Sequence, residues 1–290
     1  MTTSGTTLSE VLTVLDGLYP PDTAQSWDQV GLVSGDPAQP VRRIHLAVDP
    51  TLAVIEEARE AGADLLVTHH PLLLRGVHSV ATTSAKGASV TALVVADLAL
   101  YVAHTNADVA RPGVNDALAA AAGLTATEPL TVREGQSLGL VGDLSVPMTL
   151  QAFAAMLAAA LPATPVGVRV SGDADAEVRR VAVLGGAGDD AFAEVRASGA
   201  DVYVTADLRH HPALEAREEA RGGPPYLVDA GHWATESLWL ESASERIRHE
   251  LGGAAASVEV YVSTLRTDPW DFLVATSSTT SPEQRSGGPR

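Results

Sequence analysis

The chain has 290 residues and a formal charge of −17, with nine histidines, one lysine (Lys86) and no cysteine. That length allows one large domain or two modest ones. The charge makes nucleic acid an unlikely direct partner, and the lack of cysteine excludes disulfides and thiolate metal sites. With no signal-peptide pattern and no apolar run of membrane length, the expectation is a soluble cytoplasmic protein. Any metal in it must be held by imidazole, carboxylate and water, a donor set that suits Zn, Mn, Fe or Ni.

In chain order, a helix is predicted over 8–18, followed by a strand, a helix and a second strand within 41–68. This stretch, VRRIHLAVDPTLAVIEEAREAGADLLVT, returns at 178–205 as VRRVAVLGGAGDDAFAEVRASGADVYVT, at a constant offset of 137 residues with 10 of 28 positions identical. Both copies carry Gly-Ala-Asp before a strand that ends in Thr. Looser matches extend outward: helices at 89–100 and 212–221, strands at 101–105 and 226–230, and helices starting near Val114 and Ala234. A further helix at 150–161 precedes the second copy. Strands alternating with helices at this spacing predict βαβ units. The fold class expected is therefore α/β, with two similar lobes from an internal duplication, mostly parallel sheets and a site between the lobes. The lobes are drawn at 1–126 and 127–272, with the final helix and strand (about 232–272) free to cross back onto the first lobe. The Ser/Thr/Gly/Pro-rich stretch 273–290 reads as a disordered tail.

In open α/β sheets, ligands gather beyond the carboxyl ends of the strands. Six of the nine histidines fall there: His69, His70, His104, His210, His211 and His232. His45, His78 and His249 do not and are read as structural. Neighbouring side chains on a strand diverge, so His69 and His70, at a strand end before Pro71, suit two nearby ions better than one. The next strand end supplies His104-Thr105-Asn106-Ala107-Asp108. In the second half, Gly231-His232-Trp233-Ala234-Thr235-Glu236 places His232 and Glu236 at i,i+4, the spacing by which one helix turn offers two ligands. Two divalent ions sharing a bridging carboxylate need about this donor set. The turn Gly185-Gly186-Ala187-Gly188 could cradle a phosphate, though such a turn is more often only tight.

These segments resemble a known family, the dinuclear metal-centre hexameric proteins also called GTP cyclohydrolase 1 type 2 homologues. The resemblance runs in order through Trp27-Asp28-Gln29-Val30-Gly31-Leu32, His69-His70-Pro71, and Ala103-His104-Thr105-Asn106-Ala107-Asp108. It continues with Pro112-Gly113-Val114-Asn115-Asp116, Ala206-Asp207-Leu208-Arg209-His210-His211 and the segment ending at Glu236. It implies a toroidal homohexamer with two divalent metal ions per chain, held by His69, His70, Asp108, His232 and Glu236, with Glu236 bridging. Longer members carry an inserted domain, for which the interval 116–178 is too short here. Arg209 stands where a small polar residue is usual, so His210 is read as lining the site rather than as a ligand, together with Trp27, Asp28, Asn106 and Asp207. His104 and His211 are candidates for proton transfer. The activity implied is that of a metal-dependent hydrolase acting on a nucleotide or phosphoester. The competing class is a non-catalytic metal-binding scaffold or metal-handling protein that acts through partners.

Overall fold

A computed structural model describes residues 6–252 and 258–275. Of the expected disordered tail, 276–290 lies outside the described residues, and 273–275 carry no regular structure.

The chain opens with α1 (Leu8–Leu18). Thr7 and Glu10 cap it reciprocally: the Glu10 carboxylate accepts the Thr7 N–H at 2.7 Å and Thr7 Oγ1 accepts the Glu10 N–H at 3.4 Å. There follow β1 (Gly31–Ser34), β2 (Arg43–Ala47), α2 (Leu52–Glu60), β3 (Leu65–Thr68), α3 (Ala85–Val95), β4 (Ala99–Val102), α4 (Thr105–Val109) and α5 (Val114–Ala121). The second half comprises β5 (Leu124–Arg133), β6 (Gln136–Thr149), α6 (Leu150–Ala160), β7 (Arg169–Ser171), β8 (Glu177–Ala187), α7 (Phe192–Ala197), β9 (Val202–Ala206), α8 (His210–Glu219) and β10 (Tyr226–Asp229). The chain closes with α9 (His232–Ser237), α10 (Trp239–Leu251) and β11 (Glu259–Val262).

Two sheets form, ordered β1-β4-β3-β2-β11 and β5-β6-β8-β9-β10-β7. Their centres are parallel, β4-β3-β2-β11 in one and β8-β9-β10 in the other, with antiparallel strands at the margins. The inner parallel strands β3, β4, β9 and β10 are buried on both faces, as helices on either side require, whereas the edge strand β11 is largely exposed. On one face of the first sheet, Ile44, Leu46, Leu65, Val67 and Tyr101 meet α1 and α10; on the other, Leu66 and Leu100 meet α2 and α3.

The repeated Gly-Ala-Asp serves the same local purpose in both halves. Gly62 (φ +68) and Gly199 (φ +70) end their helices in the left-handed region that glycine tolerates. Asp64 then accepts the N–H groups of Arg42 and Arg43 at 2.7 and 3.0 Å, and Asp201 those of Arg179 and Arg180 at 2.9 and 2.8 Å. Each aspartate thus pins the start of the preceding strand to the start of the next.

Val260 of β11 pairs in parallel register with Ile44 of β2, and the buried Trp239 of α10 donates its indole N–H to Tyr19 Oη at 3.1 Å. The helix expected at 89–100 starts and stops earlier, capped by Ser84 and ended by Asp97 at φ +52; Ala99 and Leu100 already belong to β4. A continuous apolar run hides such a change from helix to strand.

Candidate metal centre

His69 and His70 leave the carboxyl end of β3 still tied to β2, their N–H groups bonded to Ala47 and Val48 carbonyls at 3.2 and 2.8 Å. At the neighbouring strand end, Asp108 sits in α4, where the Asn115 side-chain amide holds its carbonyl at 2.9 Å. From the other lobe, Gly231 at φ +81 turns the chain sharply into α9, whose one and a half turns carry both His232 and Glu236. These five residues meet in one place. Glu236, 3% exposed, lies between three imidazoles: its Oε1 is 2.9 Å from His232 Nε2 and 3.4 Å from His69 Nε2, and its Oε2 is 3.1 Å from His70 Nε2. Asp108 Oδ1 is 3.7 Å from His69 Nε2, and the Nε2 atoms of His70 and His232 are 3.2 Å apart.

Each histidine is oriented from behind through Nδ1. His69 donates to the Ala103 carbonyl at 2.9 Å, His70 is bonded to Asp49 at 2.7 Å, and His232 to Asp207 at 2.8 Å. An outer partner of this kind sets the tautomer and turns Nε2 inward. The duplication shows in these supports: the 137-residue offset puts Asp207 at the position of His70 and Gly186 at that of Asp49.

The electrostatics favour positive charge at this centre. Burial holds the fully enclosed His69 below its ordinary pKa, so it is neutral, with its proton on Nδ1. Its Nε2 lone pair therefore faces two carboxylate oxygens. Among the described residues, His69 Nε2 is buried without a hydrogen-bond partner, and the buried Glu236 Oε2 has the His70 imidazole as its neighbour at 3.1 Å. Buried acceptors are costly unless a donor, a water molecule or a cation meets them. Burial, and then the Glu236 charge, push Asp108 well above the usual carboxylate range. Burial opposes charge on His70 and His232 too. Glu236 and Asp49 nevertheless raise His70 to about 10, and Asp207 with Glu236 raises His232 to about 11. Protons there do what a cation would do. The donor set, its convergence and the unpartnered His69 Nε2 fit a divalent metal ion: His70, His232 and Glu236 form one ligand cluster, and His69, His70 and His104 another.

The remaining sequence candidates divide. His104 joins the centre, its ring 5.1 Å from that of His69 and 5.5 Å from that of His70. Asp28 stands behind it, accepting from His104 Nδ1 at 2.9 Å, Thr105 N–H at 3.0 Å and Thr105 Oγ1 at 2.6 Å. Burial would raise its pKa, but the bonds from His104 and Thr105 prevail and lower it to about 2. Trp27 and His104 line a cavity of about 670 Å³ that opens on Asp108, Glu236 and His232. Asn106 does not line it: fully buried, it ties the His104 N–H to the Tyr19 carbonyl. Neither His210 nor His211 lines this cavity; their rings pack on each other at the start of α8, and His210 borders a separate pocket beside Arg169.

The glycine-rich turn is not a phosphate cradle. The Gly185, Gly186 and Gly188 N–H groups are bonded to Asn115, Thr235 and the Ala206 carbonyl. A Cβ on Gly186, at φ +68, would lie 2.4 Å from Glu236 Oε1. The glycine makes room for the central carboxylate. Sequence reasoning missed Asp49, whose signal was its place at the end of β2, and Thr267, which donates a hydrogen bond to Asp49.

Two α/β lobes clasping a histidine–carboxylate cluster define a class of candidate metalloproteins. The chain belongs to the DUF34/NIF3 (NGG1p interacting factor 3) family, whose model matches residues 6–269. A Streptomyces coelicolor protein named GTP cyclohydrolase 1 type 2 homolog is 50% identical, covering 94% of this chain and 97% of its own length. A Mycobacterium tuberculosis protein of the same name is 36% identical over 91% of this chain and 97% of its own, in an alignment of 374 residues. Since that exceeds 290, the relative carries extra sequence. Among solved structures, a Bacillus cereus protein related to NIF3 superposes with a TM-score of 0.84 at 26% identity, covering 92% of this chain and 99% of the other. Reduced HcgD from Methanocaldococcus jannaschii gives 0.74 at 29% identity, covering 90% and 98%.

Proposed function

We infer that the cluster holds two divalent metal ions, with His69, His70, Asp108, His232 and Glu236 as ligands and Glu236 between them, and that the protein is a metal-dependent hydrolase. One observation carries this reading: the neutral His69 turns a buried lone pair towards the Asp108 and Glu236 carboxyl groups, so that acceptors from both lobes converge on one point where a cation can meet them together. The substrate class is a nucleotide or phosphoester, by analogy with the names of the relatives, and the setting is a cytoplasmic homohexamer.

Bound ions of this kind lower the pKa of water and polarise a phosphoryl or imine oxygen. The chain's own groups do the rest. Asp49, Asp207 and the Ala103 carbonyl keep three Nε2 atoms facing inward. Asp28 engages His104 Nδ1, leaving Nε2 as the nitrogen free to carry a proton or to ligate. The test is elemental analysis of protein purified without chelator or nickel, followed by turnover assays on nucleotides and phosphoesters for the native chain and Glu236→Gln. About two metals per chain and turnover lost in the variant are expected. Bound metal without turnover across the panel would favour the scaffold reading, and absence of metal even after adding Zn, Mn or Fe would end both.

A further inference from the structure

Trp27 is 53% exposed, although burying an indole is among the largest apolar gains a side chain can make. It is not loosely held. Its indole N–H donates to Gln25 Oε1 at 2.7 Å, and the Gln25 N–H donates to Thr105 Oγ1 at 3.0 Å. Next to it, Ser26 donates its N–H and hydroxyl to the Glu134 carboxylate at 2.7 and 2.8 Å. Glu134 lies between β5 and β6, so both lobes fix this one loop.

With its only polar atom satisfied inside its own loop, the ring has nothing to offer outward but its π surface. One side of it meets His104 edge-on, with centroids 5.9 Å apart, and His104 in turn meets His69 and His70. Trp27 thus lines the cavity with a single ring, His104, between it and the buried His69. Leu74, Leu138 and Leu184 give the same cavity an apolar wall, and Arg133 and Arg209 a polar rim. Each arginine is forked onto an aspartate, Asp190 and Asp189, and a guanidinium with five donors keeps others free.

We propose that Trp27 is a preformed stacking platform, and that the ligand of this cavity is a planar heteroaromatic compound whose ring lies on the indole while its polar substituents meet the arginine rim. The proposal rests on the reading of the cluster as a metal site for the chemistry that follows, but ring recognition belongs to Trp27 alone. Because the loop is already pinned, stacking orders no mobile segment, and that cost of binding is removed in advance. The platform also explains why a large apolar side chain is held in water beside a polar centre.

The experiment compares adenosine, guanosine and uridine 5′-monophosphates with ribose 5-phosphate, by calorimetric titration of metal-loaded protein. These probes share a phosphate and differ in the ring. The native chain should bind at least one nucleotide more tightly than ribose 5-phosphate. Trp27→Ala should erase that advantage, a loss of about tenfold or more for the nucleotide, while leaving ribose 5-phosphate unchanged; Trp27→Phe should retain most of it. If the ring adds nothing over ribose 5-phosphate, or if Trp27→Ala binds as the native chain does, the platform is wrong. Metal content is measured on the same samples. Ring binding that depends on Trp27 in protein unable to hold metal would sink the metal reading and leave the platform standing.

Discussion

At the scale of single residues, the centre depends on a few atoms with no slack. Gly186 is one of them, at positive φ with Glu236 Oε1 2.4 Å from where a Cβ would sit. Gly186→Ala should cost on the order of 1–2 kcal/mol from the left-handed backbone alone. Because the methyl must also displace the carboxylate, metal content should drop in a variant that still folds; native-level metal in Gly186→Ala would show that Glu236 is not central. Protons compete for the same atoms. Without metal, His70 and His232 are raised from 6.5 to about 10 and about 11, so their contribution to stability is complete below about pH 6.5 and is lost as pH rises through those values. Metal must displace these protons, and that of Asp108, so uptake should weaken as pH falls and should release protons into weak buffer. Uptake that is indifferent to pH between 6 and 9 would contradict this assignment. His69, His70, His232 and Glu236 were legible in the sequence because adjacency and i,i+4 spacing are local signals. The support by Asp49 and the withdrawal of Asn106 were not, because both are decided by contacts between distant segments.

At the scale of elements, the segment after β11 acts as a strap across the strand ends. Ser263 N–H donates to the Leu46 carbonyl at 2.7 Å, and its hydroxyl to Glu57 at 2.5 Å. Further on, the Thr267 hydroxyl donates to Asp49, which holds His70. Thr267→Val keeps the side chain's shape but removes the hydroxyl, freeing Asp49 to rotate away from the imidazole. Outer partners of this sort are worth about 10–100-fold in metal affinity. The variant should therefore bind metal more weakly by roughly that factor, with Thr267→Ser restoring it; equal affinities in all three proteins would make the strap merely structural. The parallel core of each lobe could be read from the repeat, since each strand–helix–strand unit writes its own pattern. The β5–β6 hairpin could not. Pro129, Gly139 and Gly142 look like interruptions, and its turn uses Glu134 and Gly135 at φ +49 and +82 in place of the more recognisable Asn-Gly. That hairpin carries Arg133 and the latch for Ser26, so much of the cavity rim was hidden with it.

For the whole molecule, the centre's position between the lobes has a thermodynamic consequence. His69, His70 and Asp108 come from the first lobe, while His232 and Glu236 ride on α9, whose Ala234 packs in the second lobe's core with Val181 and Val204. Immediately afterwards, α10 returns to the first lobe and buries Trp239 against Tyr19. A cation bound here would grip both lobes at the point where the chain passes between them, and would bind only when the lobes are docked. Ligand confined to the folded state stabilises it by about 2.7 kcal/mol at a hundredfold excess over Kd. At roughly 2–4 °C per kcal/mol for chains approaching this size, calorimetry should show the unfolding midpoint rising by about 5–10 °C on metal loading. The transition should also sharpen towards a single cooperative step, because lobes no longer joined by the cluster can unfold separately once metal is chelated. If chelator leaves both midpoint and width unchanged in protein shown to carry metal, the ions sit within one lobe and the clasp described here is wrong.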